Sequence, residues 1–224
     1  MIEFRGRVVP TRLEELVDPR HTAILLVDVQ NDFCVRSGVA QRHGKYLLKW
    51  EEVSKKLKEV ANEGRKAGAK IVYLQNTMLP NHMGDSPARL RYLMRSYDVK
   101  DPSLIPEHTL EGSWGQQIVD DMRPEDKDLV VKKYRQSGFV GTNLDMMLRA
   151  NEVKTLLIAG VVAEGCVEAT ARDGQYYDYF VVILRDCVDS AYEALRDAAL
   201  KVMERNFDVA TSDQIIEIWK KKRS

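Results

Sequence analysis

Polar side chains with chemical potential stand where apolar runs stop. Asp28 closes residues 22–29 (TAILLVDV), Lys132 and Lys133 follow residues 128–131 (DLVV), and Cys166 follows residues 155–162 (TLLIAGVV). A carboxylate, an ammonium and a thiol brought together supply a base, an orienting cation and a nucleophile, the set that covalent acyl transfer requires. Cys166 carries the strongest physical case. A free thiol titrates near pH 8.5, and the unpaired N–H groups at the start of a helix favour its anion, which predicts a depressed pKa. The same N–H groups can hold an oxyanion, and Gly165 lets backbone approach a substrate. Each residue also has an ordinary use: buried cysteine as a small hydrophobe, aspartate as a turn former, lysine as a solvated charge. Their shared placement at strand ends is what singles them out.

The elements that would place them alternate. Residues 22–29 form a nearly continuous apolar run, the mark of a strand covered on both faces. Residues 45–64 follow as an amphipathic helix, with Leu48, Val53, Leu57, Val60 and Ala61 at helical spacing and Gly64 and Gly68 at its end. Further strands are predicted over residues 70–75, 128–131, 155–162, 180–185 and 207–210, and helices over 143–150, 164–177, 190–206 and 212–220. This pattern predicts an α/β fold, Rossmann-like and doubly wound: a mostly parallel five- or six-stranded sheet with helices on both faces. Ligands then bind beyond the carboxyl ends of the strands, where Gln75, Asn76 and Thr77 also stand. Residues 79–111 break the alternation. They are rich in Pro, Arg and Tyr, with one helical segment near 88–97, and read as a lid or subunit contact on a single domain spanning 1–224.

Composition narrows the function classes. Lys plus Arg and Asp plus Glu are 34 each, giving zero formal charge and no electrostatic footing for nucleic acid. The run Lys220-Lys221-Lys222-Arg223 reads as a solvated, frayed tail. Cys34, Cys166 and Cys187 are odd in number and lack CxxC spacing, unlike a disulfide framework. The opening MIEFRGRVVP has no apolar signal core, and no run of some 18 apolar residues occurs. A cytoplasmic chain with reduced thiols and no membrane contact is expected.

The strings TAILLVDVQNDFC, VVKKYRQSGF, IAGVVAEGCVEATARDG and VVILRDCVDS resemble, in order and spacing, the isochorismatase-like cysteine hydrolases. The resemblance runs from about residue 22 to 206. It implies Asp28 as acid/base and Cys166 as nucleophile. The catalytic lysine of such proteins stands four residues before a Ser-(Gly/Ala)-Phe element, here Ser137-Gly138-Phe139, which selects Lys133. Strand alternation turns Lys132 the other way, to the surface. The resemblance also implies a non-proline cis peptide between Val161 and Val162, with the Val162 and Cys166 N–H groups as the oxyanion hole.

Nicotinamidases of this superfamily hold a metal through an Asp-x-His element. Here Asn76-Thr77-Met78 stands in its place, and His21, His43, His82 and His108 show no ligand spacing, so no metal and no cofactor are expected. Isochorismatases proper lack the cysteine, so Cys166 argues against vinyl-ether hydrolysis. Gln75-Asn76, Gly112-Ser113-Trp114 and RQSGFVGTNLD are most similar to ureidoacrylate amidohydrolases and biuret hydrolase-type enzymes. Met78 and Gln136 depart from the aromatic pair found there. The implied activity is metal-independent hydrolysis of a small carbamoyl or primary amide through a thioester, with Phe33, Asn76 and Gln136 touching substrate, in a homodimer or homotetramer. Two other readings use the same residues: a non-catalytic small-molecule binder, and a thiol redox sensor built on Cys166.

Overall fold

The structure, a computed structural model, describes residues 1–223. Six strands form one sheet: β3 (Thr22–Val27), β4 (Lys70–Asn76), β5 (Leu129–Lys133), β6 (Thr155–Val161), β7 (Phe180–Asp189) and β8 (Asp208–Ala210). They are all parallel, in the order β5-β4-β3-β6-β7-β8. The order reverses between β3 and β6, so the crevice of this doubly wound sheet opens between Asp28 and the segment leading to Cys166.

Alternation along β3 explains the layers. Ile24 and Leu26 face α4 (Trp50–Ala67) and α9 (Ser212–Arg223), packing with Leu57, Val60, Ile215 and Trp219. Ala23, Leu25 and Val27 face the other way, toward α6 (Leu144–Ala150), α7 (Glu168–Tyr176) and α8 (Glu193–Asn206). Every residue of β3 is buried, as its unbroken apolar run predicts. Gly160 is required where β6 meets β3: its φ is +117°, and a Cβ there would run into the Val27 carbonyl oxygen.

Several boundaries differ from the sequence reading. The helix predicted from residue 45 begins at Trp50, because the preceding loop is tied to the end of β7. Leu48 N–H donates to the Ser190 carbonyl at 3.2 Å and Lys49 N–H to Asp189 Oδ2 at 2.8 Å. It ends on Gly68, in the left-handed conformation that closes many helices. β5 extends to Lys133, two residues beyond the apolar run, by pairing in register with Gln75 and Asn76. The helix expected from residue 190 starts at Glu193. The C-terminal lysines continue α9, and Lys222 Nζ donates to the Glu14 carbonyl, so this tail is held rather than frayed. An antiparallel hairpin, β1 (Ile2–Phe4) with β2 (Arg7–Val9), was not anticipated. Short helices α1 (Leu13–Leu16), α2 (Asn31–Cys34) and α3 (Val39–Arg42) complete this half.

Residues 79–111 hold α5 (Pro87–Tyr97), and Leu93 and Ile105 of this segment form a small third core with Met78, just after β4. Among the described residues no helix is long and apolar enough to cross a membrane.

Candidate active site

Asp28 follows the last residue of β3 at φ +54°, a conformation aspartate tolerates, which turns its carboxylate off the strand. Its N–H still donates to the Leu74 carbonyl at 3.0 Å, extending the β3–β4 ladder. Lys133 ends β5, wholly buried, with Nζ 2.9 Å from Asp28 Oδ2 and 3.1 Å from the Arg135 carbonyl. Lys132 points the other way and pairs at the surface with Glu111 at 2.8 Å. Asp28 Oδ1 is buried and has no hydrogen-bond partner. A buried acceptor left unmade costs about 1–3 kcal/mol, and the Cys166 thiol is the side chain besides Lys133 that bears on this carboxylate by hydrogen bonding.

Cys166 arrives on a π-helical turn, Ala163–Val167, that precedes α7; such turns concentrate at functional sites. The peptide between Val161 and Val162 is cis, as the resemblance implied. The Val162 carbonyl accepts from the N–H groups on either side of the cysteine, Gly165 at 3.1 Å and Val167 at 3.3 Å. Thr170 hydroxyl donates to the Cys166 carbonyl at 2.6 Å and accepts from Gly138 N–H at 3.0 Å, pinning the Cys166 turn to the Ser137-Gly138-Phe139 segment.

The three groups titrate together. Burial pushes the Asp28 carboxyl above its usual range, with Lys133 the largest opposing influence. Burial is the largest single influence on the Lys133 ammonium and pulls its titration down, but the charges and hydrogen bonds of Asp28 and Cys166 together exceed it, so the lysine is raised and stays charged. The Cys166 thiol is pushed up to about 12, by burial first and the Asp28 carboxylate second, against the pull of Lys133. The depressed thiol pKa expected from the helix start is therefore absent: a desolvated thiol beside an anion stays protonated. Cys34 and Cys187 are buried with their titrations pushed up by desolvation, and Cys34 Sγ donates to the Asp28 carbonyl at 3.8 Å.

Gln30, Asn31 and Asp32, the polar residues after Asp28, turn out to be framework. Gln30 amide donates to the Asn76 and Gln116 carbonyls at 2.9 and 2.7 Å and accepts Asn76 N–H at 2.8 Å. Asn31 amide donates to the Trp114 carbonyl at 2.8 Å. Asp32 accepts Val39 N–H at 3.0 Å and Thr109 N–H at 2.6 Å, and Gly115 must be glycine because a Cβ there would fall on this carboxylate. Asp32→Ala strands two buried N–H donors. It is expected to lower the melting temperature by roughly 5–15 °C in calorimetry, which an unchanged transition would contradict.

A cavity of about 470 Å³ opens on Cys166. Phe33, Asn76 and Gln136, the expected substrate contacts, line it together with Asp28 and Val162. Sequence reasoning missed the opposite wall. Arg89, Tyr92 and Tyr97 come from α5, Lys45 from the loop before α4 and Glu164 from the turn that carries Cys166. Gln136 amide donates to Tyr92 hydroxyl at 2.8 Å. No donor set here suits a metal. Asn76 Oδ1 accepts from Thr109 hydroxyl, Thr77 hydroxyl accepts from Gln116, and His108 Nδ1 engages Tyr97 and Pro106. Among the described residues no three His, Cys, Asp or Glu group as a metal site.

Residues 22–214 match the Isochorismatase domain. The chain belongs to the isochorismatase family. Within this family it is 33% identical over 223 residues to a ureidoacrylate amidohydrolase of Methylobacterium radiotolerans, covering 95% of this chain and 86% of that one. It is 31% identical over 205 residues to the ureidoacrylate amidohydrolase of Methylorubrum extorquens, covering 89% and 83%. Among solved structures, a cysteine hydrolase from Pseudomonas syringae shares the fold at TM-score 0.78 and 22% identity, over 92% of this chain and 95% of that one. N-carbamoylsarcosine amidase from Thermoplasma acidophilum superposes at TM-score 0.66 with 28% identity, over 86% and 96%.

Proposed function

We propose that this isochorismatase-family chain is a metal-independent cysteine amidohydrolase that cleaves a small carbamoyl or primary amide through a thioester. The observation that carries the reading is the Asp28 carboxylate, one oxygen on Lys133 and the other unpartnered, beside the Cys166 thiol at the cavity. Similarity to ureidoacrylate amidohydrolases and to an N-carbamoylsarcosine amidase supports an amide as substrate.

Asp28 takes the thiol proton as Sγ bonds to the substrate carbonyl carbon. The oxyanion rests on the Val162 and Cys166 N–H groups, whose donors are worth roughly 2.7–4 kcal/mol each in such sites. Asp28 then returns the proton to the departing nitrogen, and ammonia or an amine leaves a thioester. Water, deprotonated by Asp28, attacks that carbonyl; the sulfur departs and regains its proton, and acid or carbamate is released. Lys133 keeps Asp28 anionic and in place throughout, and no cofactor enters.

An ammonia-release screen over ureido acids, biuret, carbamoyl amino acids and simple primary amides tests this, with intact-mass detection of an acyl adduct on Cys166. Silence across the panel, or turnover without an adduct under rapid quench, would count against it. The pH profile adds a sign. Asp28 must be ionised to act, and burial raises its titration, so kcat/KM should decline on acidification at a midpoint above the ordinary carboxylate range. Lys133 is raised, so no alkaline decline from its deprotonation should appear below the usual lysine range. A profile flat down to pH 4 would exclude Asp28 as the base.

A further inference from the structure

Tyr92, on α5, carries a proton that no group among the described residues accepts. Its oxygen is taken from two sides. Gln136 amide donates to it at 2.8 Å. Ser96, one turn further along α5, also bears on it by hydrogen bonding, in the direction that favours the phenolate, which is the mark of a donor. Lys45 Nζ donates to Ser96 Oγ at 2.9 Å, which fills a lone pair of that hydroxyl and leaves its proton for Tyr92. A phenol has a single O–H to give, and with its oxygen engaged by these two donors the O–H turns away from both. Asp28 Oδ1 and Glu164 Oε2, the two buried carboxylate oxygens left unpartnered at this cavity, do not receive it.

What remains in front of it is the space before Cys166. Both residues line the cavity of about 470 Å³. Burial first, and negative charge on Cys166 second, raise the Tyr92 titration, so the hydroxyl keeps its proton and is a donor rather than a base. Gln136 fixes the approach. A Cβ on Gly165 would stand 3.6 Å from Gln136 Nε2, so this amide lies over the turn that supplies the Cys166 N–H, with the phenol next beyond it. A neutral thiol offers such a donor little to hold. Charge arises when Sγ attacks: the carbonyl oxygen gains an electron pair as the Sγ–C bond forms and gives it back as the C–N bond breaks.

We infer that Tyr92 is a third donor to this oxyanion, beside the Val162 and Cys166 N–H groups, and so a catalytic residue supplied by the 79–111 excursion rather than by the sheet. No proton changes hands: the O–H stays on Tyr92 and stabilises the intermediate by hydrogen bonding alone. A donor already oriented toward the place where charge develops acts without reorganising. For the leaving group this inference rests on the amidohydrolase reading; for the donor it needs only that Cys166 attacks a carbonyl.

Tyr92→Phe removes one oxygen and leaves the ring on the third core. Two kinds of probe test it: amides, with N-carbamoyl-β-alanine and biuret among them, and para-nitrophenyl acetate as an acyl donor to Cys166. The variant should lose about 10–100-fold in kcat on amides and in the rate of acylation by the ester, with KM nearly unchanged. Propanal, whose carbonyl takes up the thiol to give a tetrahedral hemithioacetal, should bind about tenfold more weakly, whereas propionamide should bind Cys166→Ala equally with and without Tyr92→Phe. Fluorotyrosine at position 92 gives the readout that packing cannot move. Its more acidic phenol should retain turnover near neutral pH and bring an alkaline decline to lower pH than in the native chain. Acylation slowed by Tyr92→Phe in a chain that turns over no amide would keep Tyr92 as donor and remove the amidohydrolase reading. Amide turnover that Tyr92→Phe matches in kcat, a loss confined to KM, or an alkaline limb unmoved by fluorination overturns the inference and leaves that reading. A native chain inert to every probe overturns both. The fluorotyrosine form decides the matter should Tyr92→Phe fail to fold.

Discussion

Cys166→Ala is expected to reduce amide hydrolysis by about 10⁴–10⁶-fold, the scale of losing a nucleophile from a concerted constellation. The fold should survive, because Cys166 is only partly buried and its carbonyl, which anchors Thr170, is backbone. Cys166→Ser separates nucleophile from shape. Serine nearly preserves the volume, but its hydroxyl is a far weaker acid than a thiol, and Asp28 is a modest base even with its titration raised. Serine should therefore be almost as inactive as alanine. Melting temperature and ammonia release measured together on both variants check this, and native-like turnover by the serine form would end the proposal.

Lys133→Met is the second large effect, and it appears in two readouts. The Lys133 and Asp28 side chains are 0% and 3% exposed, so removing the ammonium leaves a carboxylate uncompensated in the interior. Breaking such a pair from one side costs about 3–5 kcal/mol. Asp28 should respond by holding a proton at neutral pH, which removes the base and costs at least about 10²-fold in kcat. Adding Asp28→Asn to Lys133→Met removes the cost of protonating a buried carboxylate at neutral pH, so the double variant should be more stable than Lys133→Met while remaining inactive. Urea denaturation of the set measures the coupling. Additive losses of stability would show that the two residues do not act as a pair.

The meeting of Asp28, Lys133 and Cys166 at one sheet edge was legible in the sequence because parallel strands buried on both faces are written as unbroken apolar runs. The polar residue that ends such a run falls at the carboxyl edge, where α/β sheets bind ligands. Choosing Lys133 over Lys132 needed the family spacing, and pairing of β5 with β4 carries both lysines in the strand on opposite faces. The order of the strands was not legible, since crossovers leave no local trace. Nor was the role of Gln30 or Asp32, whose partners are 46 to 86 and 7 to 77 residues away along the chain. Arg89 and Lys45 were missed for a related reason. They lie in irregular or excursion segments, where neither a strand end nor a periodic face points to a common space. The direction of the Cys166 titration was misjudged because the helix start is visible in sequence, whereas the desolvation that outweighs it is not.

The small core of Met78, Leu93 and Ile105 stands apart from the two clusters that sandwich the sheet. Substitutions on the cavity side of α5 thus draw on a separate store of packing, with little cost to the β3–β6 crevice. Tyr92 and Tyr97, which face the cavity from α5, rest on that third cluster, so this wall and the edge bearing Asp28 and Lys133 stand on different foundations.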